Sequence, residues 1–505
     1  MREVNNMDVS QVTKLMVLAF YLLCMIGIGF IAYRKTSNFS DYVLGGRNLG
    51  SWTTALSAQA SDMSGWLLLG LPGAAYLGGI QAAWIGIGLA LGTYVNWKLV
   101  AKRLRQYTEL SKNSLTLSDF FENRFRDDTK ILRVVSALVI IVFFSVYTSA
   151  QFAAGAKLFE LVMGIPYVYA LILGGFVIVL YTFLGGFMAV SSTDVIQGVL
   201  MFIALMVVPV IAVAELGGFG ATFTALEAVD VNYMNLFRET GTVTHISFIV
   251  ILSNLAWGLG YFGQPHILAR FMAARSSDHI KKARLIAMIW VVLTLFAAVF
   301  VGMVGRLYFA DAPVADAEKV FMHMVDGMFI PILSGLFLSA ILAASMSTAD
   351  SQLLVTASSI SEDFYKQFFR KKADDKELIL VGRLSVAIVS VIAIIIALNP
   401  NSSVFGLVSN AWAGFGAAFG PVILLSLFWK RMNKWGAMAG MISGTLTVIF
   451  WITVAKSFDG VIWQIYEIVP AFIVALIAIV IVSLVTAPPT QEITDEFDAV
   501  VLMEI

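Results

Sequence analysis

Long apolar stretches alternate with short charged loops along almost the whole of this sequence. A helix that crosses the hydrocarbon core of a bilayer needs about 20 mostly apolar residues, whereas barrel strands are shorter and alternate apolar with polar positions. The pattern therefore predicts an all-α polytopic membrane protein with thirteen transmembrane helices. The predicted spans are residues 13–33, 52–79, 80–100, 134–155, 167–187, 195–216, 246–264, 285–307, 329–356, 379–398, 403–429, 436–455 and 470–487.

The composition agrees with a membrane protein. Among the 505 residues, 59% are apolar and 13% are charged, and the 33 Lys and Arg balance the 33 Asp and Glu. A soluble protein could not cover this much apolar surface with so few charges. These values exclude a disordered chain, a nucleic-acid binder with a basic field and an ordinary soluble enzyme. We expect one transmembrane domain at 13–487, between a short segment at 1–12 and an acidic tail at 488–505.

Basic residues are concentrated in alternate loops. Because cytoplasmic loops of membrane proteins carry the excess of Lys and Arg, this asymmetry predicts an N-terminus on the extracellular or periplasmic side and a cytoplasmic C-terminus. The intervening loops carry only isolated bases, such as Lys157 and Arg238. The basic loops contain Arg34, Lys35 and Arg47; Lys102, Arg103, Arg105, Lys112, Arg124, Arg126, Lys130 and Arg133; Arg270, Arg275, Lys281, Lys282 and Arg284; Lys366, Arg370, Lys371, Lys372 and Lys376; and Lys430, Arg431 and Lys434.

The second predicted span carries a polar cluster near its middle. A carboxylate at the bilayer centre costs roughly 3 kcal/mol even on insertion-based scales, so an acid in a span usually serves function. A helix rich in small polar residues can break there, and the freed carbonyl groups become ligands. Asp62 therefore indicates an ion or solute pathway, although neighbouring hydroxyls or amides could simply satisfy its charge. The cluster consists of Ser57, Gln59, Ser61, Asp62, Ser64 and Gly65.

A second polar cluster lies in the ninth span, at residues 343–352. Ser347 and Thr348 offer two adjacent hydroxyl oxygens, and sodium is a hard cation that prefers several oxygen ligands. Serine and threonine also hold membrane helices together, so helix packing is the alternative interpretation of this pair.

The seventh span ends at Trp257–Pro265, where three glycines and a proline oppose a regular helix. Trp257 and Tyr261 are four residues apart and share one face wherever the segment stays helical. Their rings suit a small, partly apolar solute; an interfacial aromatic belt or plain packing is the alternative. In the eleventh span, the small residues of Ala411–Pro421 predict close helix approach without a ligand.

The two interrupted spans are five helices apart. Two five-helix units that each begin with a broken helix are typical of transporters with inverted repeats. Because five is odd, the second unit must be inverted in the membrane. We therefore predict a repeat of helices 2–6 and 7–11.

Four segments carry a resemblance to a known family: Ser57–Trp66, Trp257–Phe271, Met346–Thr348 and Ala411–Pro421. They resemble the sodium:solute symporter family, and the string WGLGYFGQPHILARFM is specific to it. The resemblance extends over about residues 13–487 and is strongest to bacterial members that transport proline. It implies a LeuT-type fold with five-plus-five inverted helices in the bacterial cytoplasmic (inner) membrane.

The resemblance also implies site residues. The sodium ligands would be the backbone carbonyls of Ala60, Met63 and Ala344 and the hydroxyls of Ser347 and Thr348, with Asp62 in the sodium motif, in direct or indirect contact. The implied solute site contains Ser64, Gly65, Trp66, Tyr147, Trp257, Tyr261, Gln264 and Pro265.

Three further residues are functional candidates. Arg47 and Asp194 match family positions, but Arg47 could serve only topology and Asp194 could cap a helix N-terminus. Asp350 could be a second cation or proton ligand, or a polar residue near the cytoplasmic end.

The implied activity is sodium-coupled uptake of L-proline by alternating access, with sodium as the coupling ion and the lipid bilayer as the surroundings. The serious alternative is a symporter of the same family for pantothenate, another amino acid or a sugar. A channel would show rings of pore-lining residues instead of two broken helices. Four histidines and one cysteine show no nucleophile–base or metal spacing, so we expect no enzyme. The balanced charge also predicts no nucleic-acid partner.

Overall fold

A computed structural model describes residues 8–33, 38–184, 186–242, 244–400 and 402–503. Arg34 and Lys35, which contribute to the predicted loop-charge pattern, lie outside the described residues. The helices are α1 Val9–Tyr33, α2 Phe39–Leu44, α3 Ser51–Leu68, α4 Gly70–Gly78, α5 Ala83–Val95, α6 Ala101–Leu110, α7 Leu117–Phe125, α8 Ile131–Met163, α9 Tyr167–Leu184, α10 Phe187–Glu215, α11 Phe219–Val229, α12 Phe248–Leu255, α13 Pro265–Ala273, α14 Ser277–Tyr308, α15 Val320–Met328, α16 Pro331–Ser358, α17 Asp375–Ile396, α18 Val404–Phe428, α19 Lys434–Thr453, α20 Ile468–Val485 and α21 Gln491–Leu502.

The predicted all-α architecture is confirmed. Within the described ranges, ten helices are long and apolar enough to cross a membrane, and three shorter apolar helices accompany them. Two of the ten contain π-helical turns: Asn96–Val100 joins α5 to α6 in a span that also includes the 3-10 turn Gly79–Ala82, and Ser359–Phe369 extends α16. The count of thirteen spans remains a prediction.

Both predicted interruptions are present. In α3, Ser64 has φ 50° and ψ −177°, a backbone conformation that residues with a side chain rarely adopt. Between α12 and α13 the chain forms a 3-10 segment, Ala256–Gly263, and then turns out of the helix at Gln264. At both places the sequence has polar residues and glycines instead of apolar residues. The backbone can therefore leave the helix there, because buried polar side chains form hydrogen bonds with the N–H and C=O groups that are freed.

The glycines near the second interruption let α18 approach closely, as predicted for the eleventh span. A Cβ atom at Gly260 would lie 1.9 Å from the Trp412 indole nitrogen, and one at Gly263 would lie 2.2 Å from the Phe415 carbonyl oxygen. Trp412 is thereby brought against the interrupted segment, and its indole donates to the Trp257 carbonyl at 2.8 Å.

α16 lies at the centre of the bundle, where it packs against α1, α3, α8 and α10. Every residue from Phe337 to Leu354 is buried. The helix carries its hydroxyl and carboxyl groups on this buried surface, so they face the neighbouring helices rather than lipid.

The acidic tail contains an ordered helix, α21, which packs against α6. Phe497 is buried beneath the guanidinium groups of Arg103 and Arg124, at 5.1 and 5.5 Å from its ring centre. Arg126 pairs with Glu492 at 2.9 Å and also with Glu496. The tail therefore covers several of the arginines that the sequence places in basic loops.

Candidate functional site

The break in α3 is held by two tyrosines from other elements. The Asp62 carboxylate accepts a 2.6 Å hydrogen bond from the Tyr261 hydroxyl. The Tyr147 hydroxyl, on α8, donates to the Asp62 backbone carbonyl at 3.4 Å. Asp62 is therefore linked to the predicted solute residues on both sides.

Two backbone amides freed by the break are paired with side-chain oxygens. The Gly65 N–H donates to the Gln151 amide oxygen at 3.1 Å, and the Trp66 N–H donates to the Ser64 hydroxyl at 3.1 Å. The half-helix after the break thus directs its positive end toward α8. A Cβ atom at Gly65 would lie 2.7 Å from the Cβ of Ala154, so this approach requires glycine.

A small cavity adjoins the break. Its volume is about 10 Å³, room for about one water molecule. Entry of a solute therefore requires the lining side chains to move. The lining residues are Asp62, Met63, Ser64, Trp66, Leu89, Tyr147, Trp257, Tyr261, Val408 and Trp412.

Aromatic rings pack together beside the cavity where α18 and α20 begin. The ring of Trp257 lies 5.2 Å from that of Trp66, 5.3 Å from that of Phe405 and 5.3 Å from that of Tyr466. The indole nitrogen of Trp66 is buried without a hydrogen-bond partner among the described residues, so it could donate to a solute in the cavity.

Trp257 and Tyr261 both line the cavity, but the α-helical spacing under which they would share one face is absent here. The segment is a 3-10 helix of three residues per turn, so residues four apart point in different directions. Trp257 stacks on Trp66, whereas Tyr261 packs edge-on against Trp412 with ring centres 5.0 Å apart.

Four of the five predicted sodium ligands converge on the other side of the break. The Ser347 hydroxyl lies 2.7 Å from the Ala60 carbonyl oxygen and 3.2 Å from that of Ala344. The Thr348 hydroxyl lies 3.4 Å from the same Ala60 oxygen. All four residues are fully buried. Met63, the fifth, lines the adjoining cavity.

These oxygens suit sodium. Two carbonyls and two hydroxyls form a neutral donor set for a hard cation, and the negative charge of Asp62 lies two residues from Ala60. The carboxylate of Asp62 binds Tyr261 on the solute side. Its connection to the oxygen cluster therefore runs through the α3 backbone.

A buried ion pair lies beneath this cluster. The Arg270 guanidinium is 3.2 Å from the Asp194 carboxylate, and both side chains are fully buried. The Ser57 hydroxyl donates to Asp194 at 2.6 Å and accepts from Arg270 at 3.1 Å. The interpretation of Arg270 as a basic-loop residue is wrong, because this charge is neutralised inside the bundle.

Asp194 lies inside α10, which begins at Phe187, so the helix-cap alternative for it is also wrong. Asp350 is fully buried in α16, and its carboxylate lies 3.3 Å from the Ser351 hydroxyl. The Ser351 hydroxyl accepts a hydrogen bond from the Arg270 guanidinium and donates one to the Ser347 carbonyl at 2.7 Å. This network joins the ion pair to the helix turn that carries the hydroxyl pair.

Replacing Arg270 by methionine is expected to reduce the free energy of unfolding by about 3–5 kcal/mol, because removing one partner of a buried pair leaves an uncompensated charge. Adding Asp194→Asn to Arg270→Met should recover part of this loss. Thermal unfolding of the purified variants in detergent measures both effects. A single variant as stable as the wild type would show that the pair contributes no stability.

The remaining predicted residues lie outside the cavity. Gln264 donates to the carbonyls of Gly260 and Trp412, at 3.2 and 3.1 Å, and so secures the 3-10 segment. Pro265 is the first residue of α13 and lines a separate cavity with Val43. Neither residue therefore lines the cavity at the break.

Arg47 joins three parts of the chain near the ends of α6 and α13. Its guanidinium donates to the carbonyls of Met272 and Ser114, each at 2.7 Å, and to the Asn113 side chain at 2.9 Å. Burial, and then the neighbouring Arg105, lower the pKa of Arg47 to about 10, so it remains charged at neutral pH. Arg47 therefore holds separate segments of the chain together, in addition to the part in membrane topology that its position predicts.

Three residues of this site were not predicted as such from the sequence. Gln151 has no local pattern that marks it, although it lies one turn after Tyr147 on α8. Trp412 stands in a stretch interpreted as packing alone. Arg270 could have been recognised from its place within the specific string, before the basic loop begins.

Known proteins are similar in sequence to this chain over most of its length. The profile of the sodium:solute symporter family matches residues 42–444. The sodium/proline symporter of Escherichia coli is 51% identical over 483 residues, which cover 94% of each chain. The osmoregulated proline transporter OpuE of Bacillus subtilis is 49% identical over 478 residues, which cover 94% of this chain and 95% of that protein.

Solved structures show the same fold. A Na+-coupled sialic acid symporter in a substrate-bound, outward-open state aligns with a TM-score of 0.79 at 19% identity, covering 95% of this chain and 99% of that one. A nucleobase-cation-symport-1 family transporter in a closed conformation aligns with a TM-score of 0.56 at 13% identity, covering 92% and 99%. By its profile match and its relatives of about half-identical sequence, the chain belongs to the sodium:solute symporter family.

Proposed function

We propose that this protein is a secondary active transporter that couples the uptake of L-proline to the entry of sodium. The observation that carries the proposal is the arrangement around one break in α3. The Ala60 carbonyl belongs to an oxygen cluster that suits sodium. Asp62, two residues later, contributes a carboxylate to the lining of the aromatic cavity. The names of the relatives, which are transporters of proline, support the choice of solute.

Sodium is a transported substrate in this proposal. It binds to the carbonyl oxygens of Ala60, Met63 and Ala344 and to the hydroxyls of Ser347 and Thr348. These groups belong to α3 and α16, so the ion fixes the position of the broken helix against the centre of the bundle.

Proline binds on the opposite side of the break. Its carboxylate is held by the backbone amides at Ser64, Gly65 and Trp66, where the half-helix presents its positive end. Its ring packs among Trp257, Tyr261 and Tyr147, and its ammonium group lies near Asp62. The cavity walls carry few amide side chains, which favours proline over a sugar.

Coupling follows from the shared helix. Ordering Ala60 with sodium also orders Ser64 and Gly65, so each substrate strengthens the binding of the other by the same factor. One net charge that moves through 100 mV contributes about 2.3 kcal/mol, which alone supports roughly fiftyfold accumulation. Alternating access then releases both substrates on the other side.

The proposal includes the finer topology. The proposed chain has thirteen spans, with inverted repeats at helices 2–6 and 7–11 and a cytoplasmic C-terminus, and lies in the bacterial inner membrane. The two broken helices five spans apart and the basic loops support this arrangement.

Uptake into proteoliposomes containing the purified protein tests the proposal. Labelled proline should accumulate when sodium is present outside and not when choline replaces it, and unlabelled proline should compete best among pantothenate, other amino acids and sugars. Sodium-dependent uptake of another member of that panel would identify a symporter for that solute. Sodium-independent uptake of proline would overturn the coupling.

A further inference from the structure

One of the three backbone amides that the proposed function assigns to the solute carboxylate, that of Gly65, has a partner on another helix. The Gly65 N–H donates to the Gln151 amide oxygen at 3.1 Å, and Gln151 is fully buried on α8. A carboxylate and this side-chain oxygen cannot both occupy the one direction in which the N–H points.

Gln151 holds this position with little other support. Its amide nitrogen makes one long contact, 3.5 Å, to the Tyr147 carbonyl. Tyr147, one helical turn earlier, lines the cavity. Ser64 and Trp66, on either side of Gly65, also line it, so the bond between Gly65 and Gln151 lies beside the cavity.

We infer that Gln151 is a surrogate ligand, which satisfies the Gly65 amide in the empty transporter and is displaced by the carboxylate of the bound solute. This inference rests on the proposed function, because it needs a solute with a carboxylate at Gly65. Gln151 is in this role a positioning residue, since it acts through the Gly65 N–H.

The physical reason for such a residue is the empty transporter. A symporter must return without solute after each delivery, and a buried N–H without a partner is costly. Gln151 removes that cost from the empty state but competes with the solute in the loaded state. It therefore lowers solute affinity while allowing the empty protein to return.

The test replaces Gln151 by methionine, which keeps the length of the side chain and removes the strong acceptor. Proline affinity of the purified protein at saturating sodium should increase about 3- to 10-fold, the effect of one net hydrogen bond. In proteoliposomes, net uptake should become slower, whereas exchange of internal for external proline should be retained, because exchange bypasses the return of the empty protein.

A second variant, Gln151→Leu, should give the same two changes and serves if methionine impairs folding. Gln197→Leu is the matched control, because it removes another buried amide, one that bonds Tyr21 of α1 at 3.1 Å and does not line the cavity. It should leave proline affinity and the ratio of net uptake to exchange unchanged.

Other outcomes overturn the inference in different ways. Weaker proline binding in both Gln151 variants would make Gln151 a direct solute ligand. Unchanged affinity with lower stability would make it a packing residue. A wild type that binds none of the carboxylate solutes in the uptake panel would remove the proposed function and the inference together, whereas wild-type binding matched by both variants removes the inference alone.

Discussion

Replacing Thr348 by alanine is expected to raise the sodium concentration that gives half-maximal proline uptake by roughly 10- to 100-fold, the effect of losing one bond to a charged group. The Thr348 hydroxyl lies 3.4 Å from the Ala60 carbonyl oxygen, and Ser347 lies 2.7 Å from it. Removing one of these oxygens leaves sodium with fewer ligands between α3 and α16. Sodium dependence of uptake at fixed proline concentration measures the change.

Two variants serve as controls for this prediction. Thr348→Ser keeps the hydroxyl and should stay near the wild type. Thr356→Ala removes a hydroxyl that donates within α16, to the Gln352 carbonyl at 2.8 Å, and should not alter sodium dependence. If Ser347→Ala and Thr348→Ala both show wild-type sodium dependence, the oxygen cluster is not the ion site.

The break at Ser64 could be predicted from sequence because its cause is local. Small polar residues and glycine in the middle of an apolar span weaken the helix at that point, and this composition is visible without any partner. The same holds for the glycines and proline of the second interruption. Both lie where the pattern places them.

The partners of the broken segments could not be predicted in the same way. Arg270 pairs with Asp194, 76 residues away in the chain, and its local surroundings resemble a basic loop. The role of Gln151 is visible only from its hydrogen bond to the Gly65 N–H, 86 residues away in the chain. Such pairings depend on how helices pack, which periodicity does not encode.

The backbone conformation of the second interruption could not be predicted from the sequence pattern either. Glycines and a proline predict a departure from the α-helix but do not distinguish a loop from a 3-10 segment. That difference decides which way Tyr261 points. In the structure it points toward Asp62, and this contact defines the second large effect that we expect.

Asp62→Asn is expected to reduce sodium-coupled proline uptake by more than about 100-fold, the size of effect seen when one member of a buried charged pair is removed. Asp62 is the one acidic residue among those that line the cavity. Asparagine keeps the shape and can still bond Tyr261, but it lacks the charge that balances sodium and the solute ammonium. Asp62→Glu keeps the charge, displaced by one methylene, and should retain part of the activity.

The contribution of the Tyr261 hydroxyl can be separated from that of the charge. Tyr261→Phe keeps the ring and removes only the 2.6 Å bond to Asp62, so proline affinity should weaken by about 3- to 10-fold. Tyr261→Ala also removes the ring and should weaken it by about 5- to 150-fold, with much less change in sodium binding measured without proline. Asp326→Asn, at a carboxylate paired with Lys14 away from the cavity, should behave as the wild type. If Asp62→Asn transports proline as well as the wild type, the carboxylate serves only to satisfy the break, and the solute ammonium must be bound elsewhere.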